Sequence, residues 1–269
     1  MTSCWDECIA TYGKEVATFF GAHFADTKRR CLIVGGAGFD PRCVTFAQLL
    51  HDHLGARLDG FFLREHRPDP SPELVTRADV NIATLKGLVS ILTVKDIEVL
   101  AKEDKAVIGG RRAVQALDAV PLAPYTDIII DFSALSVGIS FPVARLLLEK
   151  AAAEAGPKNV HVVVASNAGI DDAVRVIPSD VVDPVHGFSA LLDLQESAQE
   201  PKIWMPALAF GKGQSLELIR AGLRGPVTVC PVLPISQRDP RTSDRLIADY
   251  EDELYQSWEV PASNTVFAI

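Results

Sequence analysis

Residues 31–43, CLIVGGAGFDPRC, decide how the chain is read. A short apolar run ends in glycines, and Asp-Pro-Arg follows. Proline at a first helical turn with an acid before it is ordinary helix-start chemistry. The segment therefore predicts a strand, a tight turn and the beginning of a helix. Residues 41–55, PRCVTFAQLLHDHLG, continue as that helix, with Gly55 at its end.

The same alternation runs along the chain. ARLDGFFLREHR (56–67) predicts a second strand, the proline-rich PDPSP (68–72) a surface loop, and residues 73–90 a helix. DIEVLAKED (96–104) predicts a third strand and GGRRAVQALDAV (109–120) its helix. TDIIIDFSALS (126–136) is the clearest strand, because its β-branched apolar run suits a strand covered on both faces. FPVARLLLEKAAAEAG (141–156) is the following helix and NVHVVVASN (159–167) the next strand. KIWMPAL (202–208) and PVTVCPVL (226–233) add two more, with SLELIRAGLRG (215–225) between them. Strand and helix in alternation predict a Rossmann-like, doubly wound α/β fold. Its mostly parallel sheet would have about seven strands, with helices on both faces. A helical segment, residues 1–30, precedes a single domain spanning 31–269, and that domain can belong to a larger assembly or a longer parent protein.

Two stretches break the rhythm. Residues 170–200 hold IPSDVVDPVHGF (177–188), rich in Pro, Asp and Gly, and read as a loop reaching over the strand ends. At the C-terminus, residues 242–260 predict an amphipathic helix with Thr242 or Ser243 as N-cap, and NTVFAI (264–269) a final strand. An apolar strand needs a neighbour. It closes the edge of the sheet, or it pairs with a partner protein or a second copy.

The chain has 269 residues, 48% hydrophobic and 23% charged, so a sizeable core is expected. A net charge of −9 argues against duplex nucleic acid as a partner. Asp6 and Glu7 stand where a secretory signal would be positive, and no apolar run is long enough for a membrane span, which predicts a cytoplasmic protein. Five cysteines show no metal-ligand spacing, and no metal site is expected from them.

In an open parallel sheet, ligands bind beyond the carboxyl ends of the strands. The residues expected there are Gly35, Gly36, Gly38, Asp40 and Arg42 after the first strand, and Asp104, Arg111 and Arg112 after the third. The next two strands contribute Asp131, Ser133 and Ser136, then Ser166 and Asn167. Lys212, Ser236 and Arg241 follow the last two. Glycines, short hydroxyls and cations suit a phosphate-bearing ligand of nucleotide type. Asp59 or Glu65 on the second strand is the candidate ribose partner.

The glycines at 35, 36 and 38 depart from the dinucleotide fingerprint G-x-G-x-x-G. GAGFD (36–40) resembles the glycine-rich loop of S-adenosylmethionine-dependent methyltransferases. The resemblance implies a nucleoside-bearing cofactor, covers those residues only, and no other methyltransferase motif accompanies it. FGKGQSLELIR (210–220) lacks the Lys-Ser adjacency of a nucleoside-triphosphatase loop. It reads as an anion-binding helix start with Lys212, or as plain capping by Ser215. Asp131 could ligate Mg²⁺, act as a base, cap a helix or pair with Arg42 or Arg112. Asp40 is the second candidate acid, and Arg42 with Arg241 could clamp an anion. G-x-S-x-G is absent, and the six histidines fall on helices, a strand and the variable loop, His186 alone being placed to reach the site. Three functions follow: a nucleotide-binding sensor or regulatory subunit; an enzyme on a nucleotide-type substrate (hydrolase, glycosidase or methyltransferase); or an interaction scaffold with a vestigial site.

Overall fold

A computed structural model of the chain describes residues 8–68, 70–100, 108–153, 157, 159–167, 185–188, 201–235 and 239–268. They belong to two compact units, Met1–Val174 and Arg175–Ile269.

The first unit is a three-layer α/β structure. Its strands are β1 Cys31–Gly36, β2 Leu58–His66, β3 Leu92–Glu98, β4 Asp127–Asp131 and β5 Asn159–Val163. They form one parallel sheet in the order β3-β2-β1-β4-β5. Its helices are α1 Lys14–His23, α2 Thr45–Leu54, α3 Pro72–Leu88, α4 Gly109–Asp118 and α5 Val137–Ala151.

Side chains alternate across a strand, so each strand feeds two cores. Cys31, Ile33, Phe62 and Ile129 pack with Phe20 of α1, Leu50 of α2 and Leu85 of α3. Leu32, Val34, Phe61, Ile128 and Ile130 pack with Ala113 and Leu117 of α4 and Val143 and Leu147 of α5. The central strands β1 and β4 are buried at every position. That explains their uninterrupted apolar sequence. β3, at the sheet edge, is only half-covered and carries Lys95 and Asp96 outward.

The second unit has its own core around Tyr250, Leu246, Leu254, Trp258, Leu233 and Val229. Its strands are short: β6 Lys202–Trp204 pairs with β7 Val227–Val229, and β8 Val232–Pro234 with β9 Val266–Ala268. Two helices accompany them, α6 Gly213–Gly222 and α7 Thr242–Asp249. The Trp258 indole N–H donates to Glu217 at 2.7 Å, and the Tyr250 hydroxyl to the Ala209 carbonyl at 2.6 Å.

The sheet thus has five strands rather than about seven. The two strands expected after residue 200 do not extend it. PVTVCPVL splits at Cys230-Pro231 into β7 and β8, and proline has no N–H for a ladder. The C-terminal strand β9 finds its neighbour in β8 of the same chain. Neither Thr242 nor Ser243 caps α7 with its side chain: Arg241 holds the N-cap position, and the Ser243 hydroxyl donates to the Pro234 carbonyl. Among the described residues, no helix is long and apolar enough to cross a membrane.

Candidate functional site

Strand order reverses between β1 and β4. Their carboxyl ends carry Gly36 and Asp131. Both glycines of β1 are packed tightly. A Cβ on Gly35 would lie 3.2 Å from the Phe62 ring and 3.3 Å from the Asp131 Cβ. A Cβ on Gly36 would lie 2.3 Å from the Ala134 carbonyl oxygen. The fold therefore requires glycine at 36, because the 132–135 turn crosses close over the end of β1; at 35 the Phe62 ring and Asp131 would have to give by a few tenths of an ångström. Gly38 differs, with nothing within 4 Å of its would-be Cβ.

Asp131 is 1% exposed. Its Oδ1 accepts from the Ser133 backbone N–H at 2.9 Å. Its Oδ2 is buried and has no hydrogen-bond partner among the described residues. Burial pushes this carboxyl up to about 6; the Ser133 hydrogen bonds and Arg42 oppose that, while Asp40 adds to it. The Ser133 hydroxyl oxygen accepts from the Ala165 N–H at 2.8 Å and ties the ends of β4 and β5 together.

Asp40 is committed locally. It accepts from its own helix start at the Arg42 N–H, 2.9 Å, and from the Arg42 guanidinium in a bidentate pair at 2.6–3.0 Å. The side-chain amide of Asn81 on α3 holds the loop from outside, donating to the Gly38 and Asp40 carbonyls at 2.8 and 3.3 Å. An acid so engaged is a structural cap, and the loop it closes is tied to α3 and to its own helix start.

The other expected residues are spread more widely. Glu65 accepts from the Ser136 N–H at 2.7 Å and so covers the start of α5. Asp59 lies at the opposite, amino end of β2, buried against Arg30 and Tyr125 at 2.7 and 3.1 Å, and is not a ribose partner at the carboxyl edge. Arg112 pairs with Glu98 at 2.5 Å. Both line a cavity of about 730 Å³ with His66, Asp96, Ile97, Gln115 and Ala116, at the ends of β2 and β3. Asn167 is exposed beyond β5.

Lys212 and Arg241 belong to the second unit. Lys212 is the N-cap of α6, which has no side-chain cap, so Ser215 does not cap it. The Glu253 carboxylate lies 3.0 Å from where a Gly213 Cβ would be, so an acid already faces this helix start. Arg241 is exposed at the start of α7, and its N–H donates to Asp239. His186 is exposed in a short turn. Ser236, Asp104 and nearly all of the 170–200 stretch lie outside the described residues.

One cluster escaped the sequence reading. Asp127, the first residue of β4, is fully buried. Its Oδ1 lies 2.7 Å from His23 Nε2 and 3.1 Å from His161 Nε2. Arg29 donates to both oxygens at 3.3 and 3.2 Å, and the Thr126 hydroxyl to Oδ2 at 2.6 Å. Burial pushes this carboxyl up, but hydrogen bonds from His161, His23 and Thr126 outweigh it and hold the group well below the usual carboxylate range. This end of the sheet is opposite to Asp131.

Among the described residues, the cysteines of the sheet and its first helix start, Cys31 and Cys43, are buried. Burial, helped by Asp131 and Asp40, pushes Cys43 up to about 12, and burial also raises Cys31 well above its ordinary value. Maleimide at pH 8 is expected to label the exposed Cys8 and to spare Cys31 and Cys43 until the chain unfolds. Peptide mass spectrometry reads this, and labelling of Cys43 as fast as Cys8 would contradict it.

No family model and no curated protein matches the chain. Among solved structures, the cofactor-bound Rv0187 protein from MTB is 11% identical over 55% of this chain and 73% of its own, with a TM-score of 0.27. The cytoplasmic domain of a prokaryotic cation chloride cotransporter is 9% identical over 89% of this chain and 78% of its own, with a TM-score of 0.29. Likenesses this slight carry neither function nor partner to this chain.

Proposed function

We propose that the first unit is a Rossmann-like domain that binds a nucleotide or nucleotide-derived ligand at the carboxyl ends of β1 and β4, and that the protein acts as a cytoplasmic sensor or regulatory subunit. The observation that carries this reading is the Asp131 carboxyl. A buried acid with one oxygen unpaired costs stability; Asp59 Oδ1 is likewise unpaired at the amino end of the sheet, so it is the position of Asp131 that supports the reading. Its place, at the point where strand order reverses, is where open α/β sheets take their ligands. A ligand hydroxyl or N–H directed at Oδ2 would supply the missing donor. Gly38, with open space beside it, lets backbone approach such a ligand, and the cavity at the ends of β2 and β3 offers room along the same edge.

Turnover is the second reading, favoured by the same carboxyl. An acid lifted to about 6 is near the range of a general base at neutral pH.

Asp131→Asn separates stability from function. Raising a carboxyl from 3.8 to about 6 costs the folded state about 3 kcal/mol once the group is ionised. The cost is absent below pH about 4, where folded and unfolded chains are both protonated. It grows as the unfolded chain ionises first, and is complete above pH about 6. Asp131→Asn is therefore expected to be more stable than the wild type by about 1–3 kcal/mol at pH 7.5, with the gap closing near pH 4. A thermal-shift screen against nucleotides, NAD, S-adenosylmethionine and cyclic or linear oligonucleotide messengers tests the function. A stabilising ligand recovered unchanged supports the sensor, one recovered as product supports the enzyme, and either effect should vanish in Asp131→Asn. A ligand that stabilises both forms equally would remove Asp131 from the site.

A further inference from the structure

We propose that His23, His161 and Asp127 form a mononuclear site for a divalent transition cation of the zinc type, at the amino end of β4. The three residues come from the end of α1, the middle of β5 and the start of β4, and their donor atoms all lie within 4.8 Å of one another. Two imidazole nitrogens and one carboxylate oxygen are a donor set that suits zinc, with a fourth position left for water. The spacing fits as well. Zn–N and Zn–O bonds of about 2.0–2.1 Å set ligand-to-ligand edges near 3.3 Å in a tetrahedron. The observed 2.7 and 3.1 Å contacts need only small movements to reach that.

Plain hydrogen bonding explains the cluster less well. Asp127 Oδ1 is approached by three nitrogens, those of His23, His161 and Arg29, whereas a carboxylate oxygen offers about two lone-pair directions. A cation would replace two of these N–H contacts with bonds to Nε2, leaving the imidazole protons on Nδ1. Thr126 would stay on Oδ2 and fix the carboxylate for one-oxygen ligation, the outer-shell role common at metal sites. The rings of Phe19, Phe20 and Phe24 pack around the two imidazoles and restrict water. The histidines remain 15% and 13% exposed, enough for an ion to enter. Arg29 is the opposing charge, and it keeps the affinity below that of a four-ligand structural site.

The test is a Co²⁺ titration of the chelator-treated full chain, followed by visible absorption, with Zn²⁺ competition. One ion per chain is expected, with the intense bands of four-coordinate cobalt, displaced by Zn²⁺. His23→Gln and His161→Gln should each weaken binding more than about a hundredfold, since even outer-shell changes cost 10–100-fold. Arg29→Gln should tighten it severalfold, which a purely structural ion-pair hub would not do. Asp131→Asn, about 13 Å along the same strand, should leave it unchanged. Absence of saturable binding overturns the proposal, and so does binding that survives both histidine substitutions, which would place the ion at surface histidines. If the variants do not fold, imidazole ¹⁵N resonances of the wild type decide. Zn²⁺ must shift the Nε2 signals of two histidines, and failure to do so overturns the site.

Discussion

Asp127→Ala is expected to destabilise the chain by about 3–5 kcal/mol at pH 7, the largest effect of any single substitution considered. Asp127 is fully buried, and four groups converge on it: Arg29, His23, His161 and Thr126. Removing the carboxylate leaves a guanidinium, two imidazoles and a hydroxyl facing a void in the core. Breaking one partner of a buried charge cluster costs more than the cluster contributes, because the survivors, mostly covered, regain water only in part. The pH dependence follows from the sign of the carboxyl's shift. Its folded-state value lies below the ordinary 3.8, so its contribution is fully present above pH about 4 and is lost as pH falls below it. Urea denaturation at pH 7 and pH 3.5, both with chelator present, measures the gap. A loss under 1 kcal/mol at pH 7 would show that Asp127 is not the anchor of this end of the sheet; at pH 3.5, just below the ordinary carboxylate value, the gap should be smaller by only about 0.6 kcal/mol. Asp127→Asn should cost less, because it keeps an acceptor for the imidazoles.

How much of this was legible in the sequence differs from residue to residue. The apolar runs CLIVGG and DIIID announce two central strands, because burial on both faces leaves no polar alternation. β3 was expected at 96–104 and lies at Leu92–Glu98. The expected strand opened at Asp96, within the charged Lys95-Asp96 pair, which at a sheet edge only faces outward. The two strands after residue 200 were expected in the same sheet. Sheet membership is a long-range property, and three-residue strands beside Pro206, Pro231 and Pro234 carry little of it. Asp131 was visible at a strand exit, but its unpaired oxygen was not. The His23–Asp127–His161 cluster was missed, since 104 and 34 residues separate its histidines from Asp127. Register brings His161 to Asp127, which pairs with Asn159 two residues before it, and the packing of α1 on the sheet brings His23. One local signal existed: an acid opening a doubly covered strand cannot stay unpaired, so DIIID demanded cationic or hydrogen-bonding partners at both ends.

Gly36→Ala is the second large effect, and it decides what the glycines of GGAGFD are for. Its Cβ would sit 2.3 Å from the Ala134 carbonyl oxygen and 2.8 Å from the carbon that bears it. Both are backbone atoms, so no rotamer change relieves the clash. Either β1 or the 132–135 turn must move, and that turn supplies the Ser133 N–H to Asp131 and the hydroxyl that receives the Ala165 N–H. A cost of about 3 kcal/mol is expected, at the upper end for overpacking by one methyl, because three strand ends are displaced together. Gly38→Ala meets nothing within 4 Å and should change stability by less than about 1 kcal/mol. The two substitutions thus divide the loop by role. Gly36 holds the fold, whereas a side chain at Gly38 would disturb none of it. If a ligand lies against the loop, Gly38→Ala should abolish its thermal shift while leaving the unliganded melting temperature within a few degrees of wild type. If Gly36→Ala melts like the wild type, the close crossing over β1 is wrong, and with it the account of why Asp131 is held buried at the end of β4.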